Sequence, residues 1–292
     1  MRDRLQLGLM LAPYLAGLAL LVILPAIAGF GLAFTEYNAL QPPRFAGLAN
    51  FQEVLRDDVF RIATANSLIY IVLAVPLRLA GAFLTARLLL RPTRGVRIVR
   101  AAVYLPTIVP DMAWALVWLW ILNPIYGPLN QTLALFGIAG PAWMTDQVSA
   151  RLAIVLMMSW QIGEGLVVCL ASLQNVPRDL LDQAAIDGGS AWDTFRTVTL
   201  PAIAPALLLL LFRDTIFSFQ ANFVPALIVG RGGGPDFATM FLPMYVYTTA
   251  FGYLRFGYAA AITCAMYLIT GLVLWLQFRA ARRWGFGFGH AD

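Results

Sequence analysis

Apolar residues along this chain gather into long runs, separated by short polar stretches that carry glycine and proline. The runs fall at roughly 9–34, 63–89, 101–122, 150–173, 202–229 and 256–279. Each approaches the ~20 mostly apolar residues that a helix needs to cross a bilayer core. The pattern predicts an all-α integral membrane protein of about six transmembrane helices, forming one domain over residues 1–292. Pro106, Pro110 and Asp111 interrupt the third run. Prolines are tolerated in a span where neighbouring helices or water satisfy the freed backbone groups.

Arginine positions set the expected direction. Arg2, Arg4, Arg91, Arg94, Arg97, Arg100, Arg178, Arg196, Arg279, Arg282 and Arg283 fall on one side of the six runs. Arg44, Arg56, Arg61, Arg151, Arg231 and Arg255 fall on the other, and Arg78, Arg87 and Arg213 lie within runs. The excess of positive charge on the first side places both termini in the cytoplasm. The first run is longer than a signal-peptide core, and no small-residue cleavage site follows Phe34-Thr35-Glu36, so it is expected to be retained.

Composition sharpens this picture. The chain is 60% hydrophobic and 12% charged, against about 25% charged for a soluble domain. Every one of the 20 basic residues is arginine. Without lysine there is no phosphate-binding loop of the G-x-x-x-x-G-K-[ST] type and no Schiff-base amine. The single histidine, His290, leaves no His-based metal cluster or Ser-His-Asp triad, so no metal site is expected. Cys169 and Cys264 both sit in apolar runs and read as buried, unreactive thiols. The net charge of +5 is accounted for by topology, and nucleic acid is not expected as a partner. Gly230-Arg-Gly-Gly-Gly234 precedes no strand–helix unit and reads as an outer turn rather than a phosphate cradle.

The most informative polar stretch lies between the fourth and fifth runs, at about 174–201. Pro177 suits a first helical turn, and Asp179 and Asp182 complement its positive dipole end. Gly188-Gly189 ends that helix as a left-handed C-cap does. Ser190 with Asp193 three residues on is a capping-box pattern that opens a second helix. Leu180, Leu181, Ala184 and Ala185 give the first helix an apolar face that no neighbouring loop obviously covers. On these features alone, an amphipathic helix lying at the membrane surface is an alternative.

The same stretch resembles the cytoplasmic "EAA" loop of ABC importer permeases, E-A-A-x-x-D-G-A followed by F and I-x-L-P. The matching residues are Asp182, Gln183, Ala184, Ile186, Asp187, Gly188, Gly189, Phe195, Val198, Leu200 and Pro201. Asp stands for Glu, Gln for the first Ala, Gly for the last Ala and Val for Ile. Phe45-Ala-Gly-Leu with Asn50-Phe51, Leu105-Pro106 with Pro110, Asn123-Pro124 with Gly127 and Asn130, and Gly232-Gly-Gly-Pro235 ahead of Thr248-Thr-Ala-Phe251 and Phe256-Gly-Tyr-Ala259 look like the carbohydrate branch, over about residues 9–280. The Asn-Pro-x-x-Gly-x-x-Asn run looks like the larger maltose-permease subunit or its glycerol-phosphate counterpart.

The resemblance implies a type I importer permease fold and a non-catalytic transport subunit in a bacterial or archaeal inner membrane. It implies a second, different permease, two ATPase subunits and an extracytoplasmic binding protein that delivers a sugar. ATP and Mg would be bound by the ATPase, with no cofactor in this chain. Asp182, Ala184, Ala185, Asp187, Gly188, Gly189, Leu200 and Pro201 would form the coupling loop seated in the ATPase.

Ionisable groups inside spans are costly and usually face a cavity or a partner. Met157, Trp160, Gln161 and Glu164 fall at i, i+3, i+4 and i+7, one face of a continuous helix; Asp214, Ser218 and Asn222 fall at i, i+4 and i+8. With Asp111, these carboxylates, amides and apolar platforms match the mixed surface of a sugar, and the resemblance places sugar contacts on these spans. The alternative for the charges is mutual pairing of Arg78 or Arg213 with Asp111, Glu164 or Asp214. The competing function is a free-standing secondary transporter that couples to protons through Asp111, Glu164 and Asp214, although inverted halves are not apparent. A membrane enzyme lacks a plausible nucleophile–base or metal constellation.

Overall fold

A computed structural model describes residues 2–91, 93–220 and 222–283. Helix α1 (Arg2–Leu18) passes through a π-turn at Ala19–Ile23 into α2 (Leu24–Leu32). A short hairpin pairs β1 (Thr35–Glu36) with β2 (Arg44–Phe45), and α3 (Ala49–Arg56) precedes the long α4 (Asp58–Leu88). Then follow α5 (Arg94–Ile108), α6 (Asp111–Ile121), α7 (Pro128–Leu135), α8 (Gln147–Ser159) and α9 (Gly163–Gln174). The remainder comprises α10 (Arg178–Ile186), α11 (Ala191–Thr194), α12 (Leu200–Ser218), α13 (Phe223–Ile228), α14 (Leu242–Tyr247) and α15 (Phe256–Arg283).

Among the described residues, four helical stretches are long and apolar enough to cross a membrane, Gln6–Leu32, Asp58–Leu88, Ala191–Ile228 and Phe256–Arg282; counting each of two bent pairs as one span brings the number to six. The third expected span is α5 and α6, bent by 105°. The cause is local. A residue before proline is pushed out of the helical region, and Val109 before Pro110 takes φ −68°, ψ 130°. The fourth is α8 and α9, bent by 47° across Trp160–Ile162. Here the cause is tertiary: a Cβ on Gly163 would lie 2.3 Å from Thr107 Oγ1 and 2.9 Å from Tyr104 Cα, so α9 starts hard against α5. The fifth differs from its expected 202–229. It begins earlier, through α11 and a π-turn at Phe195–Thr199, and its α-helix ends at Ser218.

The chain divides into two compact units. The first comprises Met1–Arg61 and Tyr245–Leu268. Its fixed points are polar. Asn50 Nδ2 donates to the carbonyls of Ala33 and Thr35, both at 2.9 Å. A Cβ on Gly257 would lie 1.9 Å from the Thr35 carbonyl, so only glycine lets α15 start there. Asp57 accepts the Val59 and Phe60 amides on one oxygen and the Tyr245 and Tyr258 hydroxyls on the other. Burial pushes its carboxyl up, but those four hydrogen bonds outweigh it and hold the group below the usual carboxylate range. Burial, and the hydrogen bond to Asp57, push the Tyr245 phenol up.

The second unit comprises Ile62–Met244 and Ile269–Asp292. Ala82, Ala86, Leu166, Cys169, Leu170, Leu173, Ile203 and Leu210 form its buried core, joining α4, α9 and α12. Small residues permit the close approach: a Cβ on Gly165 would sit 2.8 Å from Ala82 Cβ. Asn123 Oδ1 accepts the Ile125 and Tyr126 amides, and Asn130 links Pro124, Pro141 and Trp143, which explains the Asn-Pro-x-x-Gly-x-x-Asn spacing. Residues 230–234 form a turn, as expected, with Arg231, Gly232 and Gly233 at positive φ. His290 lies outside the described residues.

Candidate functional site: a buried charge network and a capped loop

Helix α4 carries Asn66 and Tyr70 one turn apart, and Arg78 about two turns further along. Asn66 ties α4 to the carbonyls of Phe237 and Met240. Arg78 is 3% exposed, and its Nη2 lies 3.4 Å from Asp214 Oδ1 on α12, itself 6% exposed. The neighbouring Arg213 reaches two carboxylates, Asp214 through Nη1 at 2.9 Å and Glu164 of α9 through Nη2. Two guanidiniums and two carboxylates thus alternate across three helices, and the charges sum to zero. Both guanidiniums also lie over the Phe217 ring, at 5.5 and 5.3 Å.

The network is incompletely satisfied. Among the described residues, Arg78 Nε and Nη1, Tyr70 Oη, Ser218 Oγ and both amide atoms of Asn222 are buried without hydrogen-bond partners. Tyr70 lies beside Ser218 and within electrostatic reach of Arg78 and Asp214. Unpaired buried polar atoms each cost about 1–3 kcal/mol.

Two geometric expectations are corrected. Met157, Trp160, Gln161 and Glu164 do not share one helix face, because the helix breaks between Ser159 and Gly163. Met157 is fully buried, Trp160 is 61% exposed at the C-cap of α8, and Glu164 falls in the first turn of α9. Asn222 is not on the helix of Asp214 and Ser218. That helix ends at Ser218, and Asn222 is the N-cap of α13, although all three are buried. Asp111 is exposed in the first turn of α6 and, among the described residues, joins no ion pair. Of the candidate intramembrane charges, the structure unites Arg78, Glu164, Arg213 and Asp214 and leaves Asp111 apart.

The loop at 174–201 folds as its local chemistry dictates. Pro177 caps α10, and Gly188 ends it at φ +76° with its amide donating to the Ala185 carbonyl. Gly189 N–H returns to the Ala184 carbonyl at 3.0 Å. Ser190 and Asp193 form the full capping box at the start of α11. The apolar face is redistributed relative to expectation. Leu181 turns inward against the core, whereas Leu180 and Ala185 stay exposed. Ile186 and Trp192 are 85% and 66% exposed and extend that face. Leu200 and Pro201 open α12, with proline in its tolerated first turn. Asp182 and Asp187 are exposed.

A family model described as the binding-protein-dependent transport system inner membrane component matches residues 78–285, which contain both the network and the loop. The chain belongs to this family. A probable ABC transporter permease of Bacillus subtilis (strain 168), YesP, is 31% identical over 287 residues, covering 97% of this chain and 92% of its own. The lactose transport system permease LacF of Rhizobium radiobacter is 28% identical, covering 94% and 93%. Among solved structures, a chain of a bacterial alginate ABC transporter, crystallised with an alginate pentasaccharide-bound periplasmic protein, superposes with a TM-score of 0.80 at 21% identity over 97% of this chain and 95% of that one. The fold is that of a type I importer permease, and the chain is a multi-pass membrane transport subunit.

Proposed function

We propose that this permease imports a sugar or oligosaccharide, delivered by an extracytoplasmic binding protein and driven by ATP hydrolysis in a partner. It works beside a second, different permease and two ATPase subunits, in the inner membrane of a bacterium or archaeon with both termini cytoplasmic. ATP and Mg act in the partner. The observation that carries this reading is the loop of α10 and α11, whose capped turn at Gly188 presents Leu180, Ala185, Ile186 and Trp192 outward as an apolar knob. Sugar specificity draws support from the lactose permease relative.

A mechanism follows from continuity. The knob seats in a groove of the ATPase; α11 runs through its π-turn into α12 without a break, so movement of the loop moves α12 as one body. Helix α12 carries Arg213 and Asp214, which grip Glu164 on α9 and Arg78 on α4. Three spans therefore shift together when the ATPases close. The shift exposes the orphaned donors and acceptors of Arg78, Tyr70, Ser218 and Asn222, which are the groups that sugar hydroxyls satisfy. Met157, Trp160 and Gln161 flank the break in the same path, and Asp111 stands at its neighbouring bend.

Proton coupling is the weaker reading, since Glu164 and Asp214 are both held by Arg213 and Asp111 lies apart from them. Affinity purification of the tagged chain from its native membranes tests the proposal. A P-loop ATPase and a second permease should accompany it; recovery of the chain alone, active in a proton-gradient uptake assay, would overturn it.

A further inference from the structure

The first unit carries an open pocket of about 530 Å³, lined by residues from 36–53 and from 253–258. That volume lies within the ~300–1,000 Å³ of small-molecule sites. Its lining is chemically mixed. Tyr37, Tyr253 and Tyr258 supply rings, Glu36 and Glu53 supply carboxylates, and Arg255 supplies a guanidinium. Arg255 is held in place, with Nη2 2.6 Å from Glu53 Oε2 and its guanidinium 4.4 Å above the Tyr258 ring. Behind the cavity, the Tyr258 hydroxyl is anchored on Asp57.

Two features narrow the occupant. First, the free groups include both donors and acceptors. Glu36 joins no ion pair among the described residues; Asn38 spends its Oδ1 on the Leu40 and Gln41 amides and keeps its NH₂ as a donor. A basic side chain has donors only and would leave the Asn38 and Arg255 donors unmet. Hydroxyl groups, which donate and accept, fit all of them. Second, two carboxylates face one guanidinium, so the site carries about one net negative charge and disfavours an anionic ligand.

We propose that this cavity is an outer binding site for a neutral saccharide of one or two rings, separate from the charge network. Apolar sugar faces stack on Tyr37 and Tyr253, and hydroxyls bond Glu36, Asn38 and Arg255. The segments that line it precede the second and sixth spans. They carry Arg44, Arg56 and Arg255, which the arginine distribution assigns to the extracytoplasmic side, where a binding protein would release its cargo. The proposal rests on the sugar-import reading.

The test uses the full assembly, purified from native membranes and reconstituted in nanodiscs. It is irradiated with diazirine-bearing maltoside, lactoside and galacturonide probes, and cross-linked peptides are mapped by mass spectrometry. The expected result is labelling at residues 36–38 and 253–255 by a neutral probe, competed by the free sugar, with the galacturonide labelling weakly. Apparent affinity should fall about tenfold in Glu36→Gln, the size of one lost charge-assisted hydrogen bond. Tyr253→Ala should lose the label while Tyr253→Phe keeps it. Neutral-probe labels confined to residues 157–164 and 214–222 would overturn the outer site and leave sugar import standing. Failure of every probe to label the chain, with no sugar uptake by cells that express it, would overturn both.

Discussion

Replacing Asp214 by asparagine removes the one carboxylate that contacts Arg78 among the described residues. Arg78 is 3% exposed and its Nε and Nη1 have no hydrogen-bond partner among the described residues, so its charge is stranded in the interior. Breaking a buried pair in this way costs about 3–5 kcal/mol. The reverse removal is milder. In Arg78→Met, Asp214 keeps Arg213 at 2.9 Å, and two orphaned donors disappear with the guanidinium. A cost of about 1–2 kcal/mol follows from the one long hydrogen bond lost. The double variant restores neutrality, because Arg213 and Glu164 still pair. Its cost should stay near that of Arg78→Met, which implies a coupling energy as large as the Asp214→Asn cost itself, about 3–5 kcal/mol. Thermal unfolding of the purified permease in mild detergent is the assay. At about 2 °C per kcal/mol for a chain of this size, Asp214→Asn should lose roughly 6–10 °C and Arg78→Met roughly 2–4 °C. Equal losses for the two single variants, or a double variant as unstable as their sum, would refute the network as drawn.

Gly188→Val places a β-branched residue at φ +76°, at a cost of about 1–2 kcal/mol; ATP hydrolysis should continue while uptake falls, and unimpaired uptake at normal expression would contradict the coupling role. Ser190→Ala deletes the capping box and should cost about 0.5–2 kcal/mol of local stability, read as faster hydrogen exchange over α11 and the following π-turn. The Asp57 carboxyl is lowered in the folded chain, so the stability it contributes is full above its unfolded value of 3.8 and drains away as pH falls below it. Asp57→Asn should therefore flatten the acid limb of the stability profile, and an unchanged limb would place the acid sensitivity elsewhere.

What the sequence disclosed was whatever depends on near neighbours. The Gly188 stop and the Ser190–Asp193 cap follow from the chemistry of a few consecutive residues and formed as expected; the 105° bend at Pro110 has an equally local cause, although the third run was read as a single interrupted span. The stripes at 157–164 and 214–222 failed as geometry because counting by 3.6 assumes an unbroken helix. The first break is set by Gly163 packing on Thr107 and Tyr104, a contact between distant positions. Candidate charges were legible as costly groups needing partners, but which arginine takes which carboxylate depends on how α4, α9 and α12 cross. Asn66 and Tyr70 share a helix face that periodicity alone exposes, whereas Arg78 lies about a third of a turn round from Asn66. The outer cavity was out of reach, because its Glu53–Arg255 pair joins positions 202 residues apart.

Uptake into proteoliposomes holding the co-purified assembly addresses the central claim most directly. Sugar accumulation that needs ATP at the ATPase face and binding protein at the other, and that survives collapse of the proton gradient, is the expected result. Accumulation by this chain alone, independent of ATP and abolished by a protonophore, would contradict it.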